Sequence, residues 1–147
     1  MKKIIVILII SVFVYDWIND VYYSSSSPKL ESISIDDSDL ILKNAFNNGL
    51  YDLQVEGLGT VIKLLPDDNV GSRHQKFIIE LSSGQTLLIS HNIDLAPSID
   101  NLSYGDQVAF YGEYEWNSKG GVVHWTHKDP RGYHVDGWLK HDASIYQ

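Results

Sequence analysis

The chain contains no cysteine. That absence removes disulfide cross-links, thiolate nucleophiles, cysteine-based zinc sites and a lipidated N-terminal cysteine, so a metal ion would have to be held by His, Asp or Glu. Arginine is almost missing as well. Only Arg73 and Arg131 occur, and acidic residues outnumber Lys and Arg by 19 to 11, for a net charge of −8. Affinity for a polyanion comes largely from Lys and Arg displacing counterions. This balance argues against non-specific nucleic-acid binding and leaves room only for a small, focused site. The sequence also lacks an apolar run of the roughly 20 residues that a spanning helix needs. Its longest run, Ile4 to Tyr15, is interrupted only by Ser11.

What is present begins with that run. Lys2 and Lys3 precede it, which is the pattern of a charged region followed by the hydrophobic region of a secretory signal. No Ala-x-Ala cleavage site follows, and Trp17, Tyr22 and Tyr23 have the chemistry of a membrane-interface belt. Residues 1–23 are therefore expected to be a signal peptide or a short uncleaved anchor in the inner membrane, with the rest of the chain extracytoplasmic, either periplasmic or secreted. Residues 24–38, rich in Ser and Asp and carrying Pro28, read as a polar linker. Residues 39–147 read as one domain, and a composition of 44% hydrophobic and 12% aromatic residues is enough for a packed core.

Within that domain the hydrophobic period changes once. A residue of Asp37-Ser38-Asp39 can cap a helix running to Asn48, and Gly49 can end it. From Leu53 the pattern becomes strand-like. Strands are expected over 53–65, bent or bulged around Gly57 and Gly59, and over 74–81, 85–91, 107–116 and 122–127. The loop 66–72, the turn Ser83-Gly84, the long connection 92–104 and the hairpin Asn117-Ser118-Lys119-Gly120-Gly121 separate them. Five strands with a longer third connection fit a mainly β fold: a small five-stranded barrel of the oligonucleotide/oligosaccharide-binding (OB) type, preceded by one short helix and the hydrophobic leader. An SH3-like barrel or a small sandwich is the alternative.

The chemistry-bearing residues gather near strand ends and loops. Three readings compete for them. His124, His127, Asp129 and His134 can ligate a divalent metal, imidazole and carboxylate being the natural ligands where thiols are absent. Alternatively His74, His124 or His127 can act as a general base, with Arg73 or Arg131 stabilising an oxyanion or phosphate. Third, Trp116, Trp125, Tyr133 and Trp138 can stack against bases or sugar rings. Against all three stands a structural role, with the histidines bonded to the barrel wall and the tryptophans in the core. In a regular strand His124 and His127 point to opposite faces, so a bulge or strand end is needed to bring them together. Asp67 and Asp68 fit turn formation better than a cation site, while Arg73 beside His74 is a candidate anion clamp.

Several motifs recur together: Gly71-Ser72-Arg73-His74-Gln75-Lys76-Phe77, Ser90-His91-Asn92-Ile93-Asp94-Leu95-Ala96-Pro97, Tyr111-Gly112-Glu113-Tyr114-Glu115-Trp116-Asn117 and Gly120-Gly121-Val122-Val123-His124-Trp125-Thr126-His127. In order and spacing they resemble an uncharacterised family of short bacterial proteins, domain of unknown function 3465, from about Leu40 to the C-terminus. The resemblance implies a short leader followed by one small domain, and supplies no activity. It singles out Arg73, His74, Gln75, His91, Asn92, Asp94, His124, His127 and Asp129 as site candidates, with Gln75, His91, Asn92, Asp94, Trp116, Trp125 and Arg131 on the side of ligand binding. Two functions follow from the residues. One is an exported OB-like module binding a small ligand, oligonucleotide, glycan or protein partner. The other is a metal-assisted phosphodiesterase or nuclease built on His124, His127 and Asp129.

Overall fold

The computed structural model describes residues 34–147, so the expected leader and most of the expected linker lie outside the described residues. The first element among the described residues is helix α1 (Ile35–Asn48). It starts upstream of the expected cap, because Ser34 occupies the N-cap. Its side chain accepts the amide of Asp37 and its hydroxyl donates to the Asp37 carboxylate at 2.8 Å, which meets orphan polar groups of the first turn. Gly49 ends the helix in the left-handed conformation, φ 63°, with its amide turned back onto the last carbonyls.

Seven strands follow: β1 (Leu53–Leu64), β2 (His74–Glu80), β3 (Thr86–Asn92), β4 (Gln107–Glu115), β5 (Val122–His124), β6 (Trp138–His141) and β7 (Ser144–Tyr146). Their order is β1-β2-β3-β5-β4, and β4 pairs back to β1, which closes a five-stranded barrel. Strand β1 serves both sides. Residues Leu53 to Thr60 pair with β4, and from Thr60 onward the strand pairs with β2, with the register slipping between Val61 and Lys63. The bulge thus falls just after the two glycines expected to bend the strand, where the chain passes from one neighbour to the other. β5 joins β4 antiparallel and β3 parallel, the latter through Leu88–Val122 and Ile89–Val123.

Alternation along the strands sorts core from surface. In β3 the inward set is Leu87, Ile89 and His91, and in β4 it is Val108, Phe110, Gly112 and Tyr114. These pack with Val55, Val61, Phe77, Ile79, Val123 and Leu139 into one core, to which α1 contributes Leu42 and Ala45, both fully buried. Polar contacts fix the helix against the barrel. The Asp39 carboxylate accepts the hydroxyl of Ser82 at 2.6 Å and the amide of Ser83 at 2.9 Å, and the Trp116 indole donates to the Phe46 carbonyl at 3.0 Å while stacking on the Phe46 ring.

Two features depart from the expected pattern. The fifth strand stops at His124 rather than His127, because Trp125 adopts a left-handed conformation, φ 51°, and breaks the alternation. The chain then makes an excursion and returns as β6, which pairs with the same edge of β4 that β5 occupies, farther along: Glu113 to Glu115 face β5, Val108 to Tyr111 face β6. Gly137 closes the neck of this excursion. Its amide donates to the His127 carbonyl at 2.9 Å, and a side chain there would collide with the backbones of Trp125 and Tyr111.

Candidate functional site

On β4 the outward-facing residues are Tyr111, Glu113 and Glu115, interleaved with buried neighbours. Opposite Glu113 stand His124 of β5 on one side and Gln54 of β1 on the other, so three polar side chains share a row across the barrel wall. His124 Nε2 lies 3.3 Å from Glu113 Oε1 and 4.0 Å from Glu115 Oε1. It is shielded from solvent and has no hydrogen-bond partner among the described residues, and the Gln54 amide nitrogen is in the same condition. Burial lowers the His124 pKa, and the charges of His134, His74 and His127 push the same way against the opposing pull of Glu113. This favours the neutral ring, in which one of the two nitrogens carries a lone pair. Burial raises the Glu115 pKa, and the negative charges of Asp52 and Glu113 raise it further.

The excursion after β5 supplies the other side of the cluster. His134 stacks on Trp125 with ring centroids 4.1 Å apart and planes within 7°. Its Nδ1 lies 2.8 Å from the Val135 carbonyl and its Nε2 2.7 Å from Glu113 Oε2. Both partners only accept, so both ring nitrogens donate and the ring is an imidazolium. Burial works against that charge, but the hydrogen bonds to Glu113 and Val135 and the charges of Glu113 and Asp129 outweigh it and raise the His134 pKa. A charged ring lying flat on an indole also gains cation–π attraction. Tyr111 and Trp138 stack at 6.1 Å one step along β4, which extends the cluster with an aromatic flank.

The other candidates have structural partners. His91 is fully buried. Its Nε2 donates to the Pro97 carbonyl at 3.1 Å and its Nδ1 accepts the Thr126 hydroxyl at 2.8 Å, while burial pushes its pKa down to about 4. Gln75 exchanges two hydrogen bonds of 2.9 Å with the backbone of Ile99. Asn92 receives the amide of Asp94 in an Asx turn. The anion clamp expected at Arg73 is already filled from within: Arg73 Nε and its backbone amide both donate to Asp94 at 2.7 Å. These bonds, the backbone one foremost, lower the Asp94 pKa. His74 Nδ1 bonds to the Ser72 carbonyl.

Asp129 accepts the amides of Arg131, Tyr133 and His134, which hold its pKa down and shape the excursion. His127 is buried, with Nδ1 on the Lys128 carbonyl and its ring tilted against Trp125. Of the expected metal set, then, His124 and His134 meet around Glu113. Asp129 does not join them, because backbone amides occupy its oxygens. The four-membered aromatic platform also divides, with Trp116 docking α1, Trp138 on Tyr111, Trp125 on His134, and Tyr133 and Arg131 exposed. Glu113 and Glu115 are the residues that reasoning from the histidines passed over. Their spacing of two within an alternating strand was the available signal.

A family profile described as Protein of unknown function (DUF3465) matches residues 26–147. The chain belongs to this family. Comparison with curated proteins finds no match. The DUF3465 domain is thus a closed five-stranded barrel with one helix among the described residues. It also carries a depression of about 370 Å³ between α1 and the turns of the barrel, lined by Lys43, Phe46, Ser83, Gly84, Lys119 and Gly120, apart from the histidine-bearing face.

Proposed function

We propose that this DUF3465 protein is a binding domain that works outside the cytoplasmic membrane and takes its ligand on the outer face of β4 and β5. The observation that carries this reading is the convergence of Glu113, Glu115 and His124 with the Trp125–His134 stack, leaving the solvent-shielded His124 Nε2 unpartnered. A shielded polar atom without a partner costs about 1–3 kcal/mol, and a ligand that completes it recovers that cost. Trp125, with Tyr111 and Trp138 beyond it, adds flat apolar surface next to the charged groups, the mixture found in sites for small polar ligands. Export rests on the charged and hydrophobic pattern of the leader. The phosphodiesterase reading has no comparable support, since Arg73 is bonded to Asp94 and Asp129 to backbone amides.

Backbone amide NMR tests the placement. The isotope-labelled protein is titrated with mononucleotides, short oligonucleotides, oligosaccharides and divalent cations. The expected result is that shifts induced by any binder cluster on residues 111–115, 122–127 and 134–138. Shifts confined to the Lys43–Lys119 depression, or silence at this face for the whole panel, overturn it.

A further inference from the structure

We infer that Glu113, Glu115 and His124 form a binding site for one divalent transition-metal ion of the zinc type. This rests on reading the β4–β5 face as the ligand site and names the ligand that the face takes.

The donor set carries the argument. One ligand atom from each of the three residues lies within 4.8 Å of the other two. Ligands about 2.0–2.1 Å from a tetrahedral zinc stand roughly 3.3 Å apart. The 3.3 Å from His124 Nε2 to Glu113 Oε1 already matches that edge, and Glu115 Oε1 lies 4.0 Å from the same nitrogen. The three residues come from adjacent positions on two paired strands, so the backbone fixes their spacing before any ion arrives. His124 Nε2 lies within 4.0 Å of both carboxylates and has no hydrogen-bond partner among the described residues, so in the tautomer protonated at Nδ1 its lone pair is free to take an ion. One imidazole with two carboxylates favours a borderline ion over calcium or magnesium, which prefer oxygen-only shells.

The surroundings fit the same ion. Glu113 uses its second oxygen to accept from His134, which leaves the first free and fixes the carboxylate plane. Ligand carboxylates held in this way by an outer hydrogen bond are a regular feature of metal sites. Three protein ligands leave a fourth position open to water or an added ligand, and Gln54, across the strand pair from Glu113, has an amide nitrogen without a partner among the described residues.

The test uses the full chain, purified without a polyhistidine tag and stripped with a chelator. Zinc chloride is titrated calorimetrically, cobalt(II) is followed by its visible absorbance, and the imidazole nitrogens are followed by ¹⁵N NMR. Expected are one equivalent of zinc, a tetrahedral-type cobalt spectrum, and a coordination shift at His124 Nε2 with none at His127. Glu115→Gln and His124→Gln should each weaken binding by more than the roughly 10–100-fold that loss of an outer hydrogen bond costs, and His134→Gln by about that amount. The wild-type nitrogen spectrum decides the matter even where a variant fails to fold. No zinc binding, zinc binding with His124 Nε2 unmoved, or equal competition from calcium each overturns the inference. If zinc fails while organic ligands still shift residues 111–115 and 122–127, the metal alone falls. If that face is silent to everything, the binding reading falls with it.

Discussion

His91 should make the domain acid-sensitive in a way that can be isolated from every other titrating group. Its side chain is completely buried, neutral, and bonded at both nitrogens, and burial lowers its pKa to about 4. In the unfolded chain the same ring titrates near the ordinary value of about 6.5. Between those two values the unfolded state binds a proton that the folded state refuses, so stability falls as pH drops from 6.5 and levels off below about 4. At pH 4.5 this linkage removes about 2.5 kcal/mol, from a total that for domains of this size is about 5–15 kcal/mol.

The comparison that isolates the effect is wild type against His91→Gln by urea unfolding at pH 7 and pH 4.5. The variant loses buried hydrogen bonds and is the less stable protein at pH 7. It has no imidazole to protonate, so the gap closes by about 2.5 kcal/mol on acidification, a change in midpoint difference of about 1–2 M urea. A gap that stays constant from pH 7 to 4.5 refutes the reasoning, for it would mean that His91 titrates alike in both states.

Other perturbations have equally definite outcomes. Trp116→Phe keeps the stack on Phe46 but removes the indole hydrogen bond to the Phe46 carbonyl. It should cost about 1 kcal/mol and speed hydrogen exchange in α1 without altering the barrel strands. Gly137→Ala drives a methyl into the crossing backbones of Trp125 and Tyr111 and should cost about 3 kcal/mol or more, whereas Gly132→Ala, in open space at φ 69°, should cost only about 1–2 kcal/mol. Thermal unfolding of the pair reads the difference. The proposed export is tested by Ile7→Asp with Ile10→Asp, which interrupts the apolar run: fractionation should find the wild type outside the cytoplasm and the variant retained in it, and a wild type in the cytoplasm refutes export.

Most of the barrel could be read from the sequence because alternation is a local signal. Leu87, Ile89 and His91 fall on one face of β3 by simple counting, a signal that the naming of His91 as a ligand-binding candidate did not use, and the structure buries it in the core. The start of α1 was hidden because Ser34 follows a serine-rich tract in which nothing distinguishes the capping residue from its neighbours. The end of β5 was hidden for a different reason: Val-Val-His-Trp-Thr-His continues the strand pattern, and the break lies in the left-handed backbone of Trp125, where Gly137 packs against it, which residue types do not announce. β6 and β7 went unread, being four and three residues long and joined by Asp142 and Ala143 alone. The candidate site was half legible. His124 and His134 were visible as chemistry, but their meeting at Glu113 depends on strand register and on the return of the chain, and neither is written in residue spacing.

The neck at Gly137 has a consequence for how such a domain can diversify. With Gly137 bonded to His127 and β5 and β6 laid along one edge of β4, the two ends of the excursion are set by the barrel and not by the length between them. Tyr133 at its outer turn is 90% exposed, and Arg131 and Gly132 beside it are exposed too. Asp129 holds that tip through the backbone amides of Arg131 and Tyr133, so the two side chains can be exchanged while the neck stays closed. The barrel edge thus sets a fixed floor, and the side chains at the exposed tip can vary without the barrel having to be rebuilt.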